Sequence, residues 1–202
     1  MPDILQFVKS LFRKKKAHQP WFKHYDKDVP KEATIPDVAM TFYLDDAVSK
    51  FPEGVFIHYM GRRITFAEFD ILVNKCVSAL RQLGVTKTDR VAIILPNIPQ
   101  YAILHWAIMR LGAVIVPTNP LYSQRELAHQ LKDSGAKTAV ILDLIFHRLK
   151  EVAEQTELEN IIVTGVKDFL PPLIRLLYPL KEISEGGRIK IQRESGIYFL
   201  GN

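Results

Sequence analysis

Cysteine is almost absent from this sequence, because Cys76 is the one cysteine in 202 residues. A single thiol forms neither an internal disulfide nor a cysteine zinc site, so we expect a cytoplasmic, reducing location. Long apolar runs are also missing, since the most apolar segment, residues 101–117, contains His105, Arg110 and Gly112. That segment therefore predicts a buried helix followed by a strand, and not a membrane span. The first residues lack the order of a secretory signal.

The ten glycines form neither of the two common phosphate-binding loops. Both G-x-G-x-x-G and G-x-x-x-x-G-K-[ST] are absent, and such loops use glycine backbone N–H groups to hold phosphates. A G-x-S-x-G nucleophile elbow, an H-E-x-x-H zinc motif and closely spaced metal ligands are missing as well. We therefore assign no catalytic, cofactor-binding or metal-binding residue, and we expect this segment to bind no cofactor by itself.

Positive charge is concentrated near the start of the sequence. Residues 1–32 hold eight Lys and Arg against four Asp and Glu, which accounts for +4 of the formal net charge of +5. Residues 33–202 are therefore almost neutral. Because a nucleic-acid-binding protein carries its basic patch on the folded body, we expect no nucleic-acid partner.

Residues 3–16 have the pattern of a basic amphipathic helix that ends in three lysines. One interpretation places this helix in the interface of an anionic membrane, which would make the protein peripheral on the inner face of that membrane. The alternative is docking on its own domain or on a second subunit of a homodimer. The apolar face comprises Ile4, Leu5, Phe7, Val8, Leu11 and Phe12.

A proline-bounded connector follows this helix and carries Trp21, Phe22 and Tyr25, which we interpret as anchors for residues 3–16. The predicted domain organisation is a basic amphipathic helix and connector over residues 1–36 and an α/β subdomain over residues 37–202.

A short helix, a tight β-hairpin and a longer helix are predicted over residues 41–51, 55–65 and 66–84. Thr65 and Glu68 have the spacing of a capping box that begins the longer helix. Gly84 supplies the left-handed residue that ends it. Cys76 lies on the apolar stripe of this helix, so we interpret it as a core residue and not as a reactive thiol.

Four short apolar segments rich in β-branched residues then alternate with helical stretches. Strands that are buried on both faces of a sheet have this composition. The predicted fold class is α/β, with a parallel sheet covered by helices on both faces, a small β-hairpin and the preceding amphipathic helix. The strands are predicted at Val91–Leu95, Ala113–Val116, Ala139–Leu142 and Ile161–Val163, and the helices at residues 98–111, 124–134 and 144–155.

Residues 168–180 are apolar, interrupted by prolines, and fit neither the helical nor the strand period. We interpret them as a packed surface loop, and the alternative is a second membrane-contacting patch. Residues 197–200 have the composition of a further strand.

Polar residues that follow the predicted strands are the first candidates for a site, because open parallel sheets bind ligands at the carboxyl ends of their strands. Asn119 and Tyr122 are the better candidates, although turn geometry around Asn-Pro accounts for such residues more often than ligand binding does. His105 lies on an almost entirely apolar helix and is interpreted as a hydrogen-bonded core histidine. The remaining polar groups on the helix at 124–134 are interpreted as a solvated face: Arg125, Glu126, His129, Lys132 and Asp133.

Several short motifs together resemble the front of the adenylate-forming, or AMP-binding, enzyme superfamily. They are Thr65-Phe66-x-Glu68, Leu80-x-x-Leu-Gly-Val85, Asp89-Arg-Val-Ala92, Leu95-Pro-Asn97 and Gly112-Ala-Val-x-Val-Pro117. A further run is similar to bacterial long-chain fatty acid–CoA ligases in particular: Asn119-Pro-Leu-Tyr122, Arg125-Glu-Leu127 and His129-Gln-Leu-x-Asp-Ser-Gly-Ala136. The resemblance covers about residues 21–168, and it fails at Thr88, where the family usually has glycine.

The resemblance implies the leading, truncated subdomain of an acyl-CoA synthetase-like fold. In such a ligase a fatty acid is activated by Mg-ATP to an acyl-adenylate, and coenzyme A then forms the thioester. Fatty acid, ATP, Mg and CoA are thus implied for the intact enzyme, but no residue here matches the family's phosphate loop. We expect the isolated chain to be inactive. The alternative function is a non-catalytic remnant that binds a membrane surface or a partner chain.

Overall fold

A computed structural model describes residues 19–33, 35–184, 191–192 and 194–200. The helix predicted over residues 3–16 lies outside the described residues. The chain divides into two compact units, with the boundary between Val38 and Ala39. The assignment of separate roles to residues 1–36 and 37–202 stays a prediction.

The described part of the first unit contains one 3-10 turn, Pro20–His24. Phe22 contacts two aromatic neighbours edge to face, with ring centroids 6.2 Å from Trp21 and 5.4 Å from Tyr25. Trp21 and Tyr25 are both exposed. Their anchoring of residues 3–16 stays a prediction, because the structure does not describe the proposed partner.

The second unit begins with helix α1 (Thr41–Lys50) and a hairpin of strands β1 (Val55–Tyr59) and β2 (Arg62–Thr65), as the sequence predicts. The strands pair antiparallel, with Tyr59 opposite Arg62. Met60 and Gly61 form the turn with φ angles of 47° and 87°. Two positive φ angles match the right-handed twist of the flanking strands, which accounts for the tightness of the hairpin.

Helix α2 (Phe66–Gln82) begins at the predicted capping box. The Glu68 N–H donates to Thr65 Oγ1 at 3.2 Å, and the Thr65 N–H donates to Glu68 Oε2 at 3.0 Å. Cys76 is buried on the core face of α2, and burial raises the pKa of its thiol to about 12. A thiol that stays protonated at neutral pH is a poor nucleophile, so the core interpretation is confirmed. Gly84 ends the turn after α2 with a φ of 82°.

Five strands form a parallel sheet in the order β4-β3-β5-β6-β7. Hydrogen-bonded neighbours run parallel throughout, for example Val91 beside Ile115 and Ala139 beside Ile161. The predicted parallel α/β sheet is therefore confirmed, including the last strand. The strands are β3 (Arg90–Ile94), β4 (Val114–Pro117), β5 (Thr138–Leu142), β6 (Asn160–Thr164) and β7 (Ile197–Phe199).

Two separate cores lie on the two faces of this sheet, because alternate residues of each strand point to opposite faces. Val91 and Ile93 pack in the core that contains α2 and helix α3 (Pro99–Leu111). Ala92 and Ile94 pack in the other core, below helices α4 (Gln124–Ser134) and α5 (Phe146–Ala153). Residues 143–145 form a 3-10 turn, so α5 begins two residues later than the predicted start at residue 144.

The interpretation of residues 168–180 as a loop is wrong. Val166–Phe169 is a 3-10 turn, and helix α6 (Pro172–Ser184) follows it. Proline is compatible with the first residue of a helix, since that position needs no N–H donor. The apolar residues Leu173, Leu176 and Leu177 recur at the spacing of a helix, but the prolines at 171, 172 and 179 interrupt the segment and obscured that period. Among the described residues, no helix is long and apolar enough to cross a membrane.

Candidate functional site

The carboxyl edge of the sheet is the candidate site, because loops after four parallel strands meet there. The strand order reverses direction between β3 and β5, since β4 lies on one side of β3 and β5 on the other. Ligands of open α/β sheets bind at such a switch point. The loops that reach it are residues 95–98, 118–123, 143–145 and 165–169.

Gln100, in the first turn of α3, joins two of these loops. Its side chain is fully buried. Its Nε2 donates to Thr164 Oγ1 at 3.1 Å and to the Gly165 carbonyl at 2.8 Å. The Thr164 hydroxyl then donates to Asp168 Oδ2 at 2.9 Å. The start of α3 is thus hydrogen-bonded to the end of β6 by side chains that sequence analysis did not single out.

Gln100 Oε1 is buried without a hydrogen-bond partner in the described structure. The amide cannot be reversed to remedy this, because the Gly165 carbonyl only accepts and therefore requires Nε2 as its donor. A buried acceptor without a donor is uncommon and unfavourable.

Gly165 occupies a position where a larger residue would displace the Asp143 side chain. Its N–H donates to Asp168 Oδ2 at 2.8 Å. A Cβ at this residue would lie 2.8 Å from Asp143 Oδ2, closer than any ordinary contact. The side chains of Asp143, Lys167 and Asp168 therefore lie around the glycine at the ends of β5 and β6.

The loop after β4 forms a turn at Asn119, which is one of the two interpretations that the sequence allows. The Asn119 side chain accepts from the Leu121 N–H at 3.0 Å, and its carbonyl accepts from the Tyr122 N–H at 3.1 Å. These bonds define an Asx-type turn, so the turn interpretation of Asn119 is confirmed. Tyr122 is half-buried and packs against the core below α4.

A capping box begins α4 next to this turn. Glu126 Oε2 accepts from the Ser123 N–H at 2.8 Å and from the Ser123 hydroxyl at 2.7 Å. The Ser123 hydroxyl bond, followed by the backbone bond, lowers the pKa of the Glu126 carboxyl. Glu126 is therefore ionised at neutral pH and holds the first turn of α4.

An open cleft of about 660 Å³ lies along the start of α4. Arg125 and His129 are exposed and line it on the outer side of the helix. Gln124 is tied to α5 by a hydrogen bond from its Nε2 to Glu151 Oε2. The exposed positions agree with the predicted solvated face of α4, and the cleft is a surface groove beside the carboxyl edge. Its lining is Tyr122, Ser123, Arg125, Glu126, His129 and Gln130.

Arg110, near the end of α3, joins three helices and was not singled out in the sequence. Its Nη2 lies 2.5 Å from Asp45 Oδ1 of α1 and 2.6 Å from Asp70 Oδ1 of α2. Its Nη1 donates to Asn74 Oδ1 at 2.9 Å. These contacts stabilise the helical layer on one face of the sheet and lie away from the carboxyl edge.

His105 lies on a partly exposed side of α3 and not in the core. Its ring stacks on Tyr101 with centroids 6.3 Å apart, and the Trp106 ring lies edge to face with a centroid distance of 6.5 Å. Its Nδ1 is enclosed without a hydrogen-bond partner in the described structure. The prediction of a hydrogen-bonded core histidine is therefore wrong for this nitrogen.

Comparison with known protein families identifies the family of this chain. The family model described as "AMP-binding enzyme" matches residues 44–183. The chain belongs to the AMP-binding enzyme family. Among curated relatives, a long-chain-fatty-acid–CoA ligase of Bacillus subtilis is 35% identical over 168 residues, which are 82% of this chain and 30% of that protein. The corresponding ligase of Salmonella typhimurium is 35% identical over 153 residues, 74% of this chain and 27% of that protein.

Solved structures of the AMP-binding family share the fold. A long-chain-fatty-acid-CoA ligase of Archaeoglobus fulgidus superposes with a TM-score of 0.61 at 26% identity, covering 84% of this chain and 34% of that one. An anthranilate CoA ligase gives the same TM-score at 21% identity, covering 63% of this chain and 25% of that one. The chain spans about a third or less of the relatives that it matches. The acyl-CoA synthetase-like fold is confirmed.

The carboxyl edge does not fit the phosphates of a nucleotide with the residues described there. Phosphate sites use free backbone N–H groups and cations. Here the Gly165 N–H already donates to Asp168, and the Asp143 carboxylate lies against the same glycine. Pro96 and Pro117 add no N–H donor. Because the Gly165 N–H is already used, we derive no step of adenylation from these residues.

Proposed function

We propose that residues 1–202 form the leading subdomain of a long-chain fatty acid–CoA ligase. The observation that supports this most is the 35% identity to the Bacillus subtilis ligase over 82% of this chain. The family assignment and the fold agree with it. The role of this segment is to build one wall of the enzyme and to position the loops at its carboxyl edge.

The proposed reaction of the intact enzyme has two steps. A fatty carboxylate attacks the α-phosphate of ATP, which forms acyl-adenylate and releases pyrophosphate. The thiol of coenzyme A then attacks the acyl carbon, forms the thioester and releases AMP. The first step needs cations and N–H donors around the phosphorus, and we propose that these groups, with Mg, are bound by a part of the enzyme outside residues 1–202.

A chimera tests the assignment. This chain replaces the matching segment of the Bacillus subtilis ligase, and thioester formation from palmitate, ATP and coenzyme A is measured. We expect a folded chimera to form palmitoyl-CoA, with benzoate in place of palmitate as the control for the class of acid. A chimera with a cooperative thermal transition and no palmitoyl-CoA formation would contradict the assignment.

The isolated chain is the second test. We expect no palmitate-dependent ATP–pyrophosphate exchange above a blank without protein, because the Gly165 N–H at the carboxyl edge already donates to Asp168. Exchange above the blank would show that this segment handles phosphates itself and would overturn the proposed division of roles.

A non-catalytic module is the second candidate function, and the exposed apolar residues of α6 favour it. In this alternative the chain binds a membrane surface or a partner chain, including a second copy. The cytoplasmic location, peripheral on the inner face of a membrane, belongs to the same proposal. Absence of palmitoyl-CoA formation by a folded chimera, together with binding to vesicles, would favour this candidate.

A further inference from the structure

The segment between β6 and α6 lies at the carboxyl edge and is held there by elements that are remote in sequence. Residues 165–171, called the β6 loop below, follow Thr164 directly and end where α6 begins. Phe169 and Leu170 are buried in this loop, although it pairs with no strand that the structure describes. Its position therefore depends on side chains from other elements.

Helix α3 supports the beginning of the β6 loop through Gln100, whose Nε2 donates to the Gly165 carbonyl at 2.8 Å. Asp168 then closes a tight turn within the loop. Its N–H donates to the same carbonyl at 3.1 Å, and its Oδ2 accepts from the Gly165 N–H at 2.8 Å. These bonds fix the first half of the β6 loop and leave its second half, from Phe169 onwards, to other contacts.

The β1–β2 hairpin supports the second half of the β6 loop. The Arg62 guanidinium carbon lies 5.0 Å from the centroid of the Phe169 ring, within the range of a cation–π contact. A Cβ at Gly61 would lie 3.9 Å from Cγ of Pro171, so the hairpin turn also approaches the end of the loop closely. The hairpin and the β6 loop are thus in contact at two neighbouring points.

The alternation of side chains along β2 directs one of its two arginines to the β6 loop. Arg62 is half-buried, whereas Arg63 points to the opposite face and is exposed. Ile64 lies on the same face as Arg62 and is buried in the core that contains Phe169. Arg62 has no ion pair with any residue that the structure describes, so the Phe169 ring is the partner of its guanidinium.

We propose that the β1–β2 hairpin is a strap that holds the β6 loop in place, with Arg62 as the positioning residue. Loss of the contact between Arg62 and Phe169 lets residues 165–171 open as a local unit while the sheet stays folded. Because Gly165 and Asp168 lie at the carboxyl edge, the hairpin thereby controls the shape of that edge. The inference does not rest on the ligase assignment, since it concerns contacts within this chain.

Amide hydrogen exchange of the 202-residue chain, followed by NMR at single residues, tests this inference. The reporters in the β6 loop are the hydrogen-bonded N–H groups of Gly165, Asp168 and Leu170. The reference is the N–H of Ala139 in the central strand β5, which exchanges when the whole sheet unfolds.

The hairpin offers a matched pair of variants. Arg62→Met keeps an unbranched side chain over the Phe169 ring and removes the guanidinium. Arg63→Met makes the same change at the next residue, on the opposite face of β2. Both variants lose one positive charge, so a difference between them reports on the contact and not on net charge.

We expect Arg62→Met to raise exchange in the β6 loop by about threefold to tenfold relative to Ala139, and Arg63→Met to leave this ratio unchanged. An unchanged ratio in Arg62→Met overturns the proposal. Equal acceleration in the loop and at Ala139 also overturns it, because the loop would then open only with the whole domain. The same rise in both variants assigns the effect to charge and likewise overturns the proposal.

A second variant shows whether Arg62 acts through the aromatic ring. Phe169→Leu keeps an apolar side chain at this buried position and removes the ring. In the Phe169→Leu background we expect Arg62→Met to change loop exchange by less than about twofold, because the contact is already absent. An undiminished effect in this background would show that Arg62 holds the loop through another group and would overturn its assignment as the positioning residue.

Discussion

Helices α3 and α6 are each 13 residues long and each begin at a proline, yet their environments are opposite. In α3 the residues Ile103, Leu104, Ala107 and Ile108 are buried against the sheet. In α6 the leading aliphatic residues form one broad stripe, and they are exposed. The comparison teaches that an apolar helix by itself does not define a core, because the sheet that covers α3 has no counterpart over the described part of α6.

The comparison also separates two uses of apolar area. Apolar surface removed from water within the chain stabilises the fold by about 25 cal/mol per Å². Apolar surface left in water contributes nothing to folding until a partner covers it. Substitutions at matched positions of the two helices therefore distinguish a folding role from a binding role.

The largest expected effect is at Leu104. We predict that Leu104→Ala lowers the free energy of unfolding by about 2 to 5 kcal/mol, because the side chain is fully buried in α3 and its loss leaves a cavity. Leu176→Ala in α6 should change it by less than about 0.5 kcal/mol. Urea denaturation followed by circular dichroism measures both. Similar losses for the two variants would show that α6 is covered within the chain.

Gln100 provides the second prediction, at the start of α3. We expect Gln100→Leu to cost about 1 to 3 kcal/mol, because the buried Gly165 carbonyl loses its donor and Thr164 loses one hydrogen bond. Arg175, in α6, serves as the exposed control through Arg175→Leu, which should be neutral. Thermal unfolding measures the difference, and an unchanged midpoint for Gln100→Leu would show that the connection between α3 and β6 contributes no stability.

Arg110 provides the third prediction, near the end of α3. We expect Arg110→Met to lower stability by about 1 kcal/mol, a value limited by the exposure of Asp45, which water can solvate once the arginine is gone. The difference in unfolding free energy between the wild type and Arg110→Met should shrink in high salt, because salt partly screens the wild-type ion pairs with Asp45 and Asp70. Denaturation at low and high salt measures this, and a salt-independent loss would assign the effect to packing alone.

The smallest expected effect is at Thr88, in the turn before β3. The Thr88 N–H donates to the carbonyl of Gly112, the residue after α3, at 3.0 Å. Its φ of 72° is unfavourable for a β-branched residue. Thr88→Gly should therefore raise stability by about 0.5 to 1 kcal/mol. Gly84→Ala, at a φ of 82° with open space around it, should lower stability by a similar amount. A lower melting temperature for Thr88→Gly would contradict this account of the strain.

Local patterns were sufficient for most of the fold. The capping boxes at Thr65 and Ser123 have partners three residues away, so short-range spacing determines where α2 and α4 begin. The tight turn at Met60 and Gly61 is likewise set by its own residues. The same approach was wrong for residues 172–184, because the prolines at 172 and 179 obscured the helical spacing of Leu173, Leu176 and Leu177.

The candidate site was much less predictable. The Gln100 side chain meets Thr164 and Gly165 across 64 and 65 positions of sequence, and no local pattern brings them together. The Arg110 contact with Asp45 spans 65 positions in the same way. A glutamine after a strand was visible in the sequence, but its partners were not.

The sequence by itself determined the alternation of strands and helices, the positions of the caps and the family, since all of these depend on residue types at short spacings. Only the tertiary structure decided that the Gln100 amide joins α3 to β6 and that the leucines of α6 remain in water. The physical reason is that burial and long-range hydrogen bonds depend on which surfaces meet in space, and the order of strands in the sheet sets those meetings.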